Sequence, residues 1–187
     1  MKAIAGPAVL GGYAVASKYA ELLRLPGTAL TWVFYPRLAK LDQQQAAAVA
    51  RRMIRPTLAG IVVAAVPVAL LAAPVMRLLY GASFGSAVTP ARVLVAGMVL
   101  AGASGVASAY LYGRGTPGLN SIVLGVGLVI TVVLDVTLIP QYGALGAAAA
   151  STAAYLSTDA LLIGLLLRLS AAAPRHDAAV AVGEGTP

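Results

Sequence analysis

Apolar residues in this chain come in long unbroken blocks separated by short polar punctuation, not in the alternating or one-faced patterns of a half-buried strand or surface helix. Leu58–Tyr80, Ala91–Tyr112, Leu119–Pro140 and Gly143–Leu167 each supply about 20 residues, the length of helix that crosses a hydrocarbon layer of about 30 Å. A fifth block, Gly12–Leu38, is interrupted by Lys18, Glu21, Arg24 and Pro26. The pattern therefore predicts an all-α, polytopic transmembrane helix bundle of about five spans, near 12–38, 58–80, 91–112, 119–140 and 143–168.

The punctuation is built from helix breakers. Gly81–Pro90, Gly113–Gly118 and Pro140–Gly143 carry the Gly and Pro residues expected of turns. Leu41–Arg55 is polar, basic and Ala-rich in its middle, which predicts a short amphipathic helix on the membrane surface. The helical domain is expected to cover 1–170, followed by a disordered cytoplasmic tail at 171–187. At the other end, Lys2, a short apolar stretch and Ala14-Val15-Ala16 imitate a signal peptide. Gly6, Pro7, Gly11 and Gly12 make a poor helical core there, so cleavage is not expected.

Composition agrees with the blocks. The 187 residues are 60% hydrophobic and 10% charged, with mean hydropathy +0.89. A soluble domain carries about 25% charged residues, so this chain cannot coat a water-facing surface. The formal net charge of +7 could point to nucleic acid. A membrane reading explains it better, because basic residues collect in cytoplasmic loops. With five spans, Arg37, Lys40, Arg51, Arg52, Arg55, Arg114, Arg168 and Arg175 fall on one side, and Lys2, Arg77 and Arg92 on the other. That imbalance places the C-terminus in the cytoplasm and the start of the chain outside. A start outside the membrane suggests a fragment of a longer protein.

Two stretches resemble a known family. Gly11-Gly12-Tyr13-Ala14-Val15-Ala16 with Lys18, continuing through Pro26 to Phe34-Tyr35-Pro36-Arg37-Leu38, looks like the "GxYxxA…P…fPrl" pattern of polysaccharide and O-antigen flippases. Leu138-Ile139-Pro140-Gln141-Tyr142-Gly143-Ala144-Leu145-Gly146-Ala147-Ala148 resembles their "LIPxyGxxGAA" turn. Similar turns occur at Tyr80–Phe84 and Gly113–Gly115, so the resemblance covers roughly residues 10–170. The family belongs to the multidrug/oligosaccharidyl-lipid/polysaccharide exporter superfamily, with the multidrug and toxin extrusion transporters and peptidoglycan-precursor flippases. The resemblance implies the last five helices of the second of two six-helix lobes, with the N-terminal lobe as a missing partner. It also implies a bacterial cytoplasmic membrane location and movement of polyprenyl-pyrophosphate-linked oligosaccharide across it.

Charges within apolar spans are costly and default to functional candidates. Lys18, Glu21 and Arg24 step by three along one flank of the first block. They are candidate substrate-binding residues: a cationic wall for pyrophosphate, with Glu21 orienting the bases. The competing reading is an i,i+3 pair whose long stems snorkel to water. Asp135 and Asp159 are candidate ion-coupling residues, or carboxyls tied to hydroxyls such as Thr131 or Ser157. Trp32, Tyr35, Tyr80, Tyr110, Tyr112 and Tyr142 lie near span ends, as an aromatic belt would. Gly97, Ala101, Gly105 and Gly146, Ala150, Ala154 form small-residue rows at helix-contact spacing.

No catalytic residue, metal ligand or cofactor is expected. There is no Cys, the single His is His176, and no GxxxxGK[ST] phosphate loop occurs. Expected partners are lipid-linked oligosaccharide and the bilayer, not nucleic acid. A multidrug or cation exporter lobe and a non-transporting membrane scaffold remain the alternatives. Membrane integration has a direct test: the chain should stay in the pellet after alkaline carbonate washing and precipitate when detergent is withdrawn. A chain that remains dissolved without detergent is not a membrane protein.

Overall fold

The computed structural model of the protein describes residues 6–172. The predicted tail from residue 173 onward, with Arg175 and His176, and the residue Lys2 lie outside the described residues. No strand occurs among the described residues. The helices are α1 (Pro7–Ala20), α2 (Arg24–Leu38), α3 (Gln43–Tyr80), α4 (Val88–Gly97), α5 (Ala101–Gly113) and α6 (Pro117–Ala171). The all-helical expectation holds. A helix satisfies its own backbone hydrogen bonds, which is the condition for a segment that meets lipid.

Two helices, α3 and α6, are long and apolar enough to cross a membrane, and a third span results if the bent α4–α5 pair counts as one. Each predicted block takes a different form in three dimensions. The first becomes α1 and α2 joined by a short 3-10 turn, Glu21–Leu23, where the charges interrupt the apolar run. Gly11 and Gly12 do not break α1, and Pro7 sits at its first turn, where a missing N–H costs nothing. The third block bends by 45° between α4 and α5, around Met98–Leu100.

The polar stretch 41–55 is not a separate surface helix. It is the first part of a continuous α3 of 38 residues, roughly 57 Å at 1.5 Å per residue. Asp42 caps this helix by accepting from the Gln45 backbone N–H at 2.8 Å. Its Ala46, Ala47 and Ala50 are buried against Val106, Tyr110, Leu162 and Leu166. The small alanine face thus packs inside the bundle, and Pro56 is carried within the helix rather than ending it. Farther along, the Tyr19 hydroxyl and Arg92 Nε donate to the carbonyls of Val68 and Ala69, at 2.6 and 3.0 Å. These bonds brace α3 between Pro67 and Pro74.

The 55-residue run of α6 is a hairpin. Gly143 breaks it with φ +55° and ψ −129°, a backbone conformation open to glycine. Gly146 lies against the Leu138 carbonyl, and Gly127 against Thr158 Oγ1. In one straight helix the second pair would be about 46 Å apart. Both contacts are centred on residues 142–143, so arms 117–142 and 144–171 run antiparallel.

Close approach of small residues holds the bundle together. A methyl group on Gly27 would sit 2.7 Å from the Ala101 carbonyl oxygen, and one on Gly105 2.5 Å from that of Gly27. Thr31 Oγ1 bridges the two backbones, lying 3.2 Å from the Gly27 oxygen and 3.0 Å from the Gly105 oxygen. Gly97 packs against Thr152, whose hydroxyl donates to the Val93 carbonyl at 2.9 Å. Both small-residue rows of the sequence therefore sit at helix contacts.

The predicted loops gather the basic residues at one end. Gly113 abuts Ala39. The Gln43 amide oxygen, once turned to face it, accepts from Arg114 at 2.9 Å. Arg51 donates to Ser170. Arg37, Lys40, Arg51, Arg52, Arg114 and Arg168 thus belong to a single end, with Arg77 at the far end of α3. Gly115, at φ +69°, closes α5 in a Schellman cap: Thr116 N–H donates to the Leu111 carbonyl and Gly115 N–H to that of Tyr112.

Replacing Gly105 with Leu should force α2 and α5 apart and destabilise the detergent-solubilised protein by about 1–3 kcal/mol. Gly143→Ala, which strains the hairpin apex, should cost about 1–3 kcal/mol. Thermal unfolding of both variants against the parent measures this, and an unshifted midpoint in each would contradict the packing described.

Candidate functional site

A cleft of about 430 Å³ opens between α2, α5 and both arms of α6. Its walls are contributed at helical spacing: Arg24, Thr28 and Thr31 from α2; Ser104 and Ser108 from α5; Asn120 and Thr131 from the first arm; Tyr155, Thr158 and Asp159 from the second. Much of this polar surface is carried by α5 and α6, the most apolar of the described helices. It is the arrangement in which a membrane protein shelters groups that lipid cannot solvate.

The hydroxyl groups are oriented by the backbone. Thr28 donates to the Arg24 carbonyl at 3.1 Å, Thr131 to the Gly127 carbonyl at 3.0 Å, and Ser104 to the Ala101 carbonyl at 3.2 Å. Ser108 donates to Asn120 Oδ1 at 2.8 Å, and Asn120 Nδ2 to the Tyr112 hydroxyl at 3.0 Å. With these protons committed, the oxygens keep acceptor capacity. The cleft thus offers acceptors along its walls and a strong donor at Arg24, whose guanidinium lies 5.6 Å from the centre of the Tyr155 ring. Asp159 follows Tyr155 by one turn on the same face, with the Ser104 hydroxyl within reach.

The five residues singled out from the sequence are not one site. Arg24 and Asp159 face each other across the cleft. Lys18 and Glu21 are not among its lining residues; they pair with each other at 2.9 Å, with side chains 70% and 44% exposed. Lys18 is 20 residues from the basic end of α2, roughly 30 Å, which places it near the opposite surface. Asp135 lies outside the cleft lining, and its Oδ1 is buried without a hydrogen-bond partner. Of the hydroxyls near these carboxyls in sequence, Thr131 lines the cleft with Asp159 and Ser157 does not, while Ser104 reaches the same cleft from α5. Tyr13 and Tyr19 join helices instead of lining the cleft: Tyr13 bonds Ser151 at 2.8 Å, and Tyr19 bonds Val68 as described.

The aromatic belt divides as well. Trp32, Tyr35, Tyr80 and Tyr142 are exposed, but Tyr110 is fully buried beneath Arg114, which donates to its hydroxyl at 2.8 Å. The sequence reading missed the hydroxyl-rich walls, although a signal was present. Arg24, Thr28 and Thr31 recur at spacings of four and three, as do Ser104 and Ser108, and Tyr155, Thr158 and Asp159. Each set forms a polar stripe on an otherwise apolar helix.

No family model, curated protein or solved structure matches the chain.

Because the chain has no cysteine, single thiols can be introduced on its natural background. Thr131→Cys, on the cleft wall, should react with a membrane-impermeant thiol reagent at least about tenfold faster than Val132→Cys, which faces outward, because only a hydrated thiol ionises. Equal rates would mean that the cleft is dry.

Proposed function

We propose that the chain is part of a membrane transporter that moves polyprenyl-pyrophosphate-linked oligosaccharide across the bacterial cytoplasmic membrane for cell-surface polysaccharide synthesis. Its helices make five passes in this reading. α1 with α2, the apolar part of α3, α4 with α5, and each arm of α6 supply one apiece. The basic end then faces the cytoplasm, since positive charge is retained on that side.

The observation that supports this reading most is the cleft's hydrogen-bonding polarity. Acceptor oxygens line its walls, and one guanidinium stands beside them. A sugar brings many hydroxyl donors. A diphosphate brings acceptor oxygens that suit a planar guanidinium fork. The family resemblance of the Gly11–Leu38 and Leu138–Ala148 motifs points the same way. Transport needs no covalent step: the polar groups are sheltered while the apolar chain stays in lipid. In this proposal a six-helix N-terminal lobe closes the open side of the cleft.

Asp159 also supports a second reading, export of organic cations, because a carboxylate beside the Tyr155 ring suits a positive ligand. Reconstituted vesicles separate the two. Flipping of a fluorescent lipid-linked oligosaccharide should be measured for the chain alone and with a candidate N-terminal lobe. Arg24→Gln should lower the rate by roughly 10- to 100-fold, the worth of a charge-assisted hydrogen bond. Lys18→Gln alone should change it little, and the Lys18→Gln/Arg24→Gln pair should match Arg24→Gln. Full transport by the double variant would remove the phosphate-steering role, and transport of cations alone would favour the exporter.

A further inference from the structure

A second groove, of about 280 Å³, adjoins the cleft and shares Thr31, Trp32 and Tyr112 with it. Tyr35 and Pro117 complete its wall. Tyr35 and Tyr112 meet edge to face, with centroids 6.3 Å apart and planes at 87°. Trp32 stands 71% exposed at the junction. The Tyr112 hydroxyl is held by Asn120, so this ring belongs to the cleft network as well as the groove. Arg24 and Trp32 are eight residues apart on α2, about 12 Å along the axis, and Tyr35 lies one turn farther toward the basic end.

The geometry points to a linear glycan-binding track, with the diphosphate end of the ligand at Arg24, the first sugars against the hydroxyl walls, and later sugars stacked on Trp32, Tyr112 and Tyr35. This assignment rests on the proposed function and adds where the glycan lies, which way it runs and which rings read its length. Aromatic faces accept the C–H face of a sugar ring, and the tyrosine and threonine hydroxyls meet its polar edges. An alkyl chain calls for neither. Aliphatic surface suited to lipid lies elsewhere, on Val129, Val132, Val133 and Val136 of the first α6 arm. An aromatic belt at the membrane surface accounts for exposed rings, but not for a groove continuous with a polar cleft.

Trp32 is the only tryptophan of the chain, so its emission reports the track directly. The full chain, in phosphatidylcholine nanodiscs, should be titrated with diphosphates bearing one short prenyl chain and zero to five hexoses. Emission should respond to the longer glycans and not to prenyl diphosphate alone. Affinity should rise by roughly two- to tenfold for each sugar that gains a ring contact, then level off beyond Tyr35. Tyr35→Ala should remove the gain for the longest ligands and leave the single-sugar ligand unaffected, whereas Tyr35→Phe should retain the gain. An equal emission response to prenyl diphosphate without sugar would assign the groove to the lipid chain and overturn the track. Binding that needs Arg24 but ignores glycan length would overturn the track and leave the proposed function standing. Absence of binding by every ligand would remove both.

Discussion

The contact between the backbones of α2 and α5 is the interaction on which the rest of the bundle depends. Lipid gives helices no hydrophobic reason to associate, so they are held by packing and by hydrogen bonds across the interface. Gly27, Ala101 and Gly105 let two carbonyl-bearing surfaces touch, and the Thr31 hydroxyl bonds across them. A second close approach, of Gly127 to Thr158, pins the two arms of α6. These two pinned pairs face each other, and the polar cleft is the space left between them.

The same residues explain how polar side chains survive there. Serine and threonine can return their proton to a carbonyl of their own helix, which removes the cost of an unpaired donor. Thr28, Thr131 and Ser104 all do so. What remains toward the cleft is acceptor oxygen, a surface that water can wet and that a hydroxyl-bearing ligand can replace. Arg24 complements it. Its guanidinium lies over an aromatic face, and among the described residues no carboxylate is within ion-pair distance of it. The pairing of Lys18 with Glu21 outside the cleft contrasts with this: those two charges satisfy each other near a surface, and Arg24 keeps its capacity for a ligand.

Much of the fold was legible in the residues. The all-helical character, the glycine breaks at Gly81, Gly115 and Gly143 and both small-residue rows correspond to helices, ends and contacts, whereas the block lengths do not match the helix lengths. The reading of 41–55 as a surface helix went astray because periodicity shows that a segment is amphipathic but not what covers its small face. Ala46, Ala47 and Ala50 face other helices rather than headgroups. Tyr110 was misplaced for a related reason. A ring near a span end can point outward to the interface or inward beneath a basic side chain, as Tyr110 does under Arg114, and both choices have the same position in sequence.

Block hydrophobicity and scarce charge by themselves determined that this chain is helical, with helices long and apolar enough to cross a membrane, because backbone polar groups in hydrocarbon must be paired within a helix. Sequence also marked the interior charges worth watching, since their burial is costly. Tertiary structure alone decided which of those charges share a site. Arg24 and Asp159 are 135 positions apart and meet only because the α6 hairpin folds back and α2 locks onto α5. Lys18 and Glu21, six and three residues from Arg24, stay outside its lining: Lys18 lies in α1, Glu21 opens the turn Glu21–Leu23, and the two pair with each other. Local spacing cannot encode an encounter that depends on where four helices cross.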